Sequence, residues 1–317
     1  MKPKVLILSG LYDFSTDLVA LNLREKNIPF VRLNKEHFGD YRFSLDPLCP
    51  SLRITGLGID TEVSSNLASV WFRQPVFLRN TPSAPLTPQE QLIRSQWNAF
   101  LRALSVFDKA YWMNYPQSTY LAECKPFQLL MAKRYGFQVP KTIVGNDADA
   151  IKKTFKKEMV VKSLDTVLLR EKDDCLFTYT TVTNPELLDD NQVSQVPLLA
   201  QELLENKRDV RVTIVGEKVF AVRILHKGCG ISGDWRLLPK EDLEYEDFRL
   251  SPEIERSCIE LSENLGLTFA AIDLIEIRDG TFFIEVNPTG EWGWISNEER
   301  TIDKTIADWL AGPKRRL

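Results

Sequence analysis

The sequence predicts an α/β (α+β) protein assembled from three successive units. Three observations carry this reading. The N-terminus alternates an apolar strand, a helix and a second apolar strand, the opening of an α/β layer. Residues 198–287 read as several strands, two pairs of them joined by the short turns Gly216-Glu217 and Asp279-Gly280. No internal repeat or low-complexity segment interrupts the 317 residues, and no apolar run approaches the ~18 residues of a spanning helix.

In the first unit, residues 1–116, Val5–Ser9 is a buried strand. Met1-Lys2-Pro3-Lys4 precedes it, but the apolar run is too short for a secretion signal and soon reaches Asp13. Leu18, Leu21 and Leu23 indicate a helix ending near Asn27, and Phe30–Leu33 is the next strand. Val70-Trp71-Phe72-Arg73 is a short strand stopped by Pro75, and Asn80 to Pro88 is a proline-rich loop. Thr87, Pro88 and Glu90 then form a capping box with proline in the first turn, where its missing N–H costs nothing. Leu92, Ile93, Trp97, Phe100, Leu101 and Leu104 give that helix its apolar face. Tyr111 to Pro116 reads as the boundary.

Residues 117–200 read as a small α+β unit. A helix from Lys125 to Tyr135 stops at Gly136. Val139–Val144, Met159–Lys162, Thr166–Arg170 and Leu176–Thr183 are strands, with Asp173-Asp174 as a hairpin turn, and Asn184-Pro185-Glu186 opens a short helix. The third unit, residues 201–317, follows the strand Leu198–Leu203. It adds strands at Val210–Val215, Lys218–Leu225, Phe269–Ile277 and Thr281–Val286. A helix capped by Ser251-Pro252 aligns Ile254, Cys258, Leu261 and Leu265 and ends at Gly266; Gly312 to Arg316 is a solvated tail.

Composition narrows the function. Hydrophobic residues are 44%, charged residues 26% and the net charge is −4, so the chain lacks the basic surplus of a general nucleic-acid binder. The five cysteines are scattered without a Cys-x-x-Cys pair, which indicates neither a disulfide framework nor a zinc site. Two histidines and no Gly-x-Ser-x-Gly argue against a histidine-ligated metal or a serine hydrolase. A cytoplasmic protein without nucleic-acid or membrane partners is expected, and a homodimer stays open.

The densest chemistry lies at the last hairpin. Glu285 and Asn287 are two apart and share one strand face, with Ile284 and Val286 expected on the other. Asp273 sits on the preceding strand. Two carboxylates and an amide oxygen are the hard ligands that Mg2+ takes beside nucleotide phosphates. The plainer alternative is a solvated strand face, which Asp273 taken alone would favour. Lys125 opens a helix and Lys162 ends an apolar strand, where an ammonium can meet a phosphate. Gln201-Glu202-Leu203-Leu204 can offer backbone and Glu202 to an adenine edge. Arg211 and Arg223 lie on strands next to Asp209, where a guanidinium needs either a phosphate or a carboxylate such as Glu202 or Asp273. Gly228-Cys229-Gly230-Ile231-Ser232-Gly233 matches Gly-x-Gly-x-x-Gly, but no helical period follows. It reads as a glycine loop over a cleft or a long hairpin connection rather than a dinucleotide fingerprint.

The order Lys125, Lys162, Gln201 to Leu204, Asp209-Val210-Arg211, Arg223, Asp273 and Glu285-Val286-Asn287-Pro288 resembles the ATP-grasp superfamily. Asp234-Trp235-Arg236, Trp292-Gly293-Trp294-Ile295 and Trp71-Phe72-Arg73-Gln74-Pro75 resemble its graspetide (microviridin-type) synthetases. The resemblance implies a nucleotide held between two α+β subdomains, behind an N-terminal pre-ATP-grasp domain. It implies ATP and Mg2+, with Lys125 and Lys162 on phosphates, Gln201 to Leu204 and Asp209 around the nucleotide, and Asp273, Glu285 and Asn287 on the metal. Arg211 and Arg223 would serve the phosphorylated carboxyl, and Asp234 with Arg236 would grip a ribosomal precursor peptide made of leader and core. The expected reaction phosphorylates an Asp or Glu side chain and closes it onto a Ser/Thr hydroxyl or Lys amine. Two alternatives remain open: a ligase adding a free amino acid such as glutamate to a carboxylate, and an ATP-binding scaffold without turnover.

Overall fold

The structure, a computed structural model, describes residues 2–73, 86–165, 168–171, 174–177 and 180–312. Gln74 and Pro75, most of the proline-rich loop, Thr166, Asp173 of the expected hairpin turn and the tail beyond Gly312 lie outside the described residues.

The N-terminal sheet is parallel, in the order Phe30–Asn34, Val5–Ser9, Ser69–Phe72, Tyr111–Met113. Alternation along Val5–Ser9 feeds two cores. Leu6 and Leu8 pack with Leu101, Leu104 and Trp112, whereas Val5 and Ile7 pack with Val19, Leu23 and the C-terminal helix. The capping box at Thr87 forms as expected, with both reciprocal hydrogen bonds. Tyr111 starts the sheet's fourth strand, whose Trp112 and Met113 are buried. A three-stranded antiparallel ribbon, Arg42–Asp46, Ser51–Gly56 and Ile59–Val63, has no counterpart in the sequence expectations. Its strands are short; Leu52, Ile54 and Val63 are buried in the core, and Phe43, Leu45 and Ile59 pack against it half-buried.

The central sheet is antiparallel, ordered Thr181–Thr183, Met159–Lys162, Leu198–Glu202, Thr142–Gly145. Ile151, Phe155, Met159 and Ala200 form its small core. The third sheet has five antiparallel strands, ordered Leu243–Asp247, Lys218–His226, Arg208–Val215, Phe269–Ile277, Gly280–Asn287. One face presents Val210, Val212, Ile214, Ile272, Leu274, Phe283 and Val286 to the helices Lys125–Arg134 and Pro252–Asn264. The other face is divided. Val215, Phe269 and Ala271 are covered by Trp292, the helix Ile302–Ala311 and the N-terminal sheet. The remainder of that face carries Asp209, Arg211, Asp273 and Glu285 and borders a cleft beneath the central sheet.

The tryptophans that carry the finer resemblance are structural. Trp292 is fully buried. Trp294 packs its ring 4.6 Å from Tyr245 and 5.6 Å from Trp235. The glycine loop opens no helix of the dinucleotide kind; only the three-residue turn Trp235–Leu237 follows it. Gly230 is needed there because a Cβ would lie 1.9 Å from the Lys207 carbonyl oxygen.

Candidate active site

Register does most of the assembly. Arg211 pairs with Asp273, and Asp273 with Glu285, so cross-strand neighbours bring three charges onto one face. Arg211 Nη1 donates to Asp273 Oδ1 at 2.8 Å, one of the two alternatives open for that arginine. A register shift at Asp273/Leu274 passes over Ile284. Ile284 therefore lines the cleft instead of joining Val286 in the core, contrary to simple alternation.

Lys125 reaches the site from the helix Lys125–Arg134. One turn on, Gln128 accepts from the Val286 N–H (3.0 Å) and donates to its carbonyl (2.9 Å). This amide clamp seats the helix against the last strand and sets Lys125 Nζ 2.9 Å from Glu285 Oε2. Glu285 Oε1 accepts from Arg236 Nη1 (3.3 Å) and Asn287 Nδ2 (3.2 Å). Arg236 is held in turn by Asp234, its Nε 2.9 Å from Oδ1, and Asp234 Oδ2 accepts from the Thr180 N–H at the edge of the central sheet. Lys162, on the opposite wall, donates to Gln201 Oε1 (3.1 Å), and Gln201 donates to Thr142 Oγ1 (3.0 Å). Leu203 and Leu204 line the same cleft. The Glu202 carboxylate accepts from the Lys141 N–H at 3.2 Å and ties two strands together. Asp209 lines the cleft beside Lys207, a partner that its sequence neighbourhood does not single out.

Arg223 is not brought to this cluster. It pairs with Val210, whose side chain is in the core on the far face, and its guanidinium bonds Glu276 at 3.1 and 3.2 Å and lies 4.1 Å from the Phe248 ring. The one-residue alternation between Arg211 and its neighbour's partner decides this. Arg223→Met is expected to leave ATP turnover unchanged. Its cost in stability, read by denaturant unfolding, is at most ~1 kcal/mol because the ion pair is partly exposed.

Electrostatics distinguish the groups. Burial would raise the Glu285 carboxyl, but Lys125, Arg236 and Lys162 outweigh it and hold Glu285 well below the usual range. Burial raises Asp273 despite Arg211. Burial also lowers the Lys162 ammonium, opposed by Glu285 and reinforced by Lys125 and Arg236. Burial opposes ionisation of Asp234, but Arg236 beside it keeps its carboxyl low. Lys125, Lys162, Arg211 and Arg236 thus gather around Asp234, Asp273 and Glu285, with Lys207, Asp209 and Glu202 also on the cleft wall. Such a cluster of cations can meet an anion that arrives with its own metal.

Among the described residues, no group of three or more His, Cys, Asp and Glu side chains is placed to hold a metal. Nucleotide-bound Mg2+ commonly takes only one or two carboxylates, with phosphates and water completing the shell. Asp273 Oδ2 is buried without a hydrogen-bond partner, an orphan oxygen that a cation would satisfy. The donor set Asp273, Glu285 and Asn287 therefore fits Mg2+.

The sequence pattern of the RimK-like ATP-grasp domain matches residues 123–310. The chain belongs to this family. The ATP-grasp chain is similar to a tetrahydromethanopterin:alpha-L-glutamate ligase of Methanocaldococcus jannaschii, 31% identical over 103 residues, which are 32% of this chain and 33% of that one. A probable alpha-L-glutamate ligase of Marinomonas sp. is 25% identical over 165 residues, 50% of this chain and 53% of the relative. The ATP-grasp chain thus spans a third to about half the length of these curated relatives. Its whole architecture is similar to a Chryseobacterium gregarium RiPP-associated ATP-grasp ligase in complex with ADP and a leader and core peptide. That likeness has a TM-score of 0.85 and 23% identity, covering 99% of this chain and 98% of the other. It is also similar to macrocyclase MdnC of Microcystis aeruginosa MRC bound with precursor peptide MdnA (TM-score 0.81, 21% identity, 96% and 98% covered). At these identities the two structures establish the shared ATP-grasp fold.

Proposed function

We propose that the chain is an ATP-dependent carboxylate ligase that acts on side chains of a ribosomally made precursor peptide. The observation that carries the ligase reading is the single face holding Arg211–Asp273 and Lys125–Glu285–Arg236, with Lys162 across the cleft. A carboxylate becomes an electrophile only when given a leaving group. Its oxygen attacks the terminal phosphorus of ATP and ADP departs. A hydroxyl or amine of the same peptide then attacks the acyl carbon, inorganic phosphate leaves, and the nucleophile's proton passes to phosphate or solvent. Such chemistry needs placement and charge neutralisation rather than a strong base.

Lys125, Lys162 and Arg211 would meet the phosphates, and Gln201 to Leu204 with Asp209 would flank the rest of the nucleotide. Arg236, at the mouth with 41% of its side chain exposed, would orient the peptide carboxylate with Asp234 behind it. Asp273, Glu285 and Asn287 would hold Mg2+, which when bound neutralises phosphate charge. The peptide substrate is supported by the structural neighbours, one in complex with a leader and core peptide and one bound with a precursor peptide. The groove beside Arg236, lined by Thr181, Val182, Ile231 and Leu238, offers room for an extended chain. No helix among the described residues is long and apolar enough to cross a membrane.

A second reading, addition of free glutamate to a carboxylate, is favoured by the names of the sequence relatives. Mass spectrometry of peptides encoded beside the gene, incubated with ATP, Mg2+ and glutamate, separates the two. The expected product has lost one water per ring formed. A product heavier by a glutamyl residue supports the second reading, and an unchanged peptide with every candidate removes the first.

A further inference from the structure

The strand Gly280–Asn287 ends at Asn287, whose ladder partner is Ala271. Beyond it the backbone turns, with the Gly290 N–H donating to the Asn287 carbonyl at 3.2 Å. This turn is gripped from the N-terminal sheet. Asn114, just past the Tyr111–Met113 strand, donates to the carbonyls of Pro288 and Phe269, each at 2.8 Å. Its own amide oxygen accepts from the Thr268 and Phe269 N–H groups, also at 2.8 Å, so one buried amide uses every bonding position it has across two segments. Arg73, just past the Ser69–Phe72 strand, donates through Nη1 to the carbonyls of Thr289 and Gly290. Its side chain is 1% exposed. Two carboxylates balance it, Asp13 Oδ2 at 3.2 Å from Nε and Glu291 Oε1 at 2.8 Å from Nη2.

Three consecutive carbonyls after Asn287 are thus held by two side chains from the ends of neighbouring parallel strands. The turn itself has no slack: a Cβ on Gly290 would sit 2.5 Å from the Ala271 Cβ. A fully buried guanidinium is expensive to desolvate and an aliphatic residue would pack as well, so its directional fork is what the position uses.

We propose that Arg73 and Asn114 are positioning residues that fix the Pro288–Gly290 turn and so aim the Asn287 side chain at a nucleotide-bound metal ion. The proposal rests on the assignment of Asn287 as a metal ligand. It makes the N-terminal sheet a working part of the metal site, although none of its residues touches the ion.

The test is calorimetric binding of ADP, with and without Mg2+, to the full chain and to Arg73→Lys, Asn114→Ala and Asn287→Ala. Thermal melts check that each variant is folded. Arg73→Lys keeps the positive charge but, with a single nitrogen, cannot serve the two carbonyls and the carboxylates of Asp13 and Glu291 at once. Without Mg2+, all four proteins are expected to bind ADP alike, because Lys125, Lys162 and the cleft are untouched. With Mg2+, the native chain gains affinity, Asn287→Ala loses the gain, and the two positioning variants lose roughly tenfold or more of it, as outer-shell substitutions do. A full Mg2+ gain in folded Arg73→Lys and Asn114→Ala, with the gain lost in Asn287→Ala, overturns the proposal and spares the metal assignment. No gain in the native chain, or a full gain in Asn287→Ala, overturns the metal assignment and the proposal with it. Failure of both positioning variants to fold assigns the two residues to folding alone and likewise overturns the proposal.

Discussion

Glu285→Gln is expected to reduce ATP turnover on the order of a thousandfold, the scale of several kcal/mol of charge stabilisation at the transferring phosphoryl group. Phosphate release, basal or peptide-stimulated, is the measurement. The same substitution is expected to destabilise the protein, because Glu285 is the shared counter-charge of Lys125 and Arg236. Removing one member of a buried ion group typically costs ~3–5 kcal/mol, and the partial exposure of Arg236 places this case toward the lower end. Turnover and stability separate in the double variant Lys125→Met/Glu285→Gln. Neutralising the pair together is expected to recover much of the thermal stability and none of the turnover. Recovery of turnover as well would remove both Glu285 and Lys125 from the reaction and leave the pair a role in the fold alone.

Lys162→Met is the second large effect, with opposite signs on binding and stability. The Lys162 ammonium is disfavoured by burial and by the neighbouring Lys125 and Arg236, more than Glu285 favours it. Methionine keeps the length of the side chain and removes the charge. Wherever the pH lies below the lowered value of Lys162, the native chain bears the cost of that charge, so the variant is expected to melt there at the same temperature or higher. The difference shrinks as pH rises through the lowered value towards the ordinary 10.5, because the lysine is then neutral in the folded state too. ADP affinity moves the other way. Loss of a charge-assisted hydrogen bond to phosphate, worth ~1.5–3 kcal/mol, weakens binding by roughly 10- to 150-fold. Unchanged ADP affinity by calorimetry would remove Lys162 from the phosphate site.

Much of the site is legible in the sequence because β-strands report orientation through alternation. Glu285 and Asn287 on one side, Val286 on the other, follow from spacing alone. Arg223 shows where that logic stops. Its own strand says only that it alternates with its neighbours. Which face those neighbours occupy depends on the register that opposes Arg223 to Val210 rather than to Arg211. Ile284 fails for a related reason: a bulge is a local departure from alternation, and nothing in Phe283-Ile284-Glu285 marks it. The Trp292 and Trp294 pattern is legible as a motif, but its burial against Tyr245, Trp235 and the N-terminal core is not.

By itself, the sequence determined the strands and helices with strong periodicity, the capping at Thr87, the oxygen-bearing side chains of the last hairpin, and a resemblance that the family match bears out. These are local properties, set by side-chain period and backbone preference within a few residues. Only the tertiary structure decided which charges meet. Lys125 with Glu285, Gln128 with Val286, Arg236 with Glu285, and Arg73 and Asn114 with the Pro288–Gly290 turn join residues from 49 to 217 positions apart. A single side chain of each kind is as easily a solvated surface group. What makes it a clamp or a counter-ion is burial beside one partner in the low dielectric of the packed chain, where an unpaired polar group is costly and a paired one is held in place.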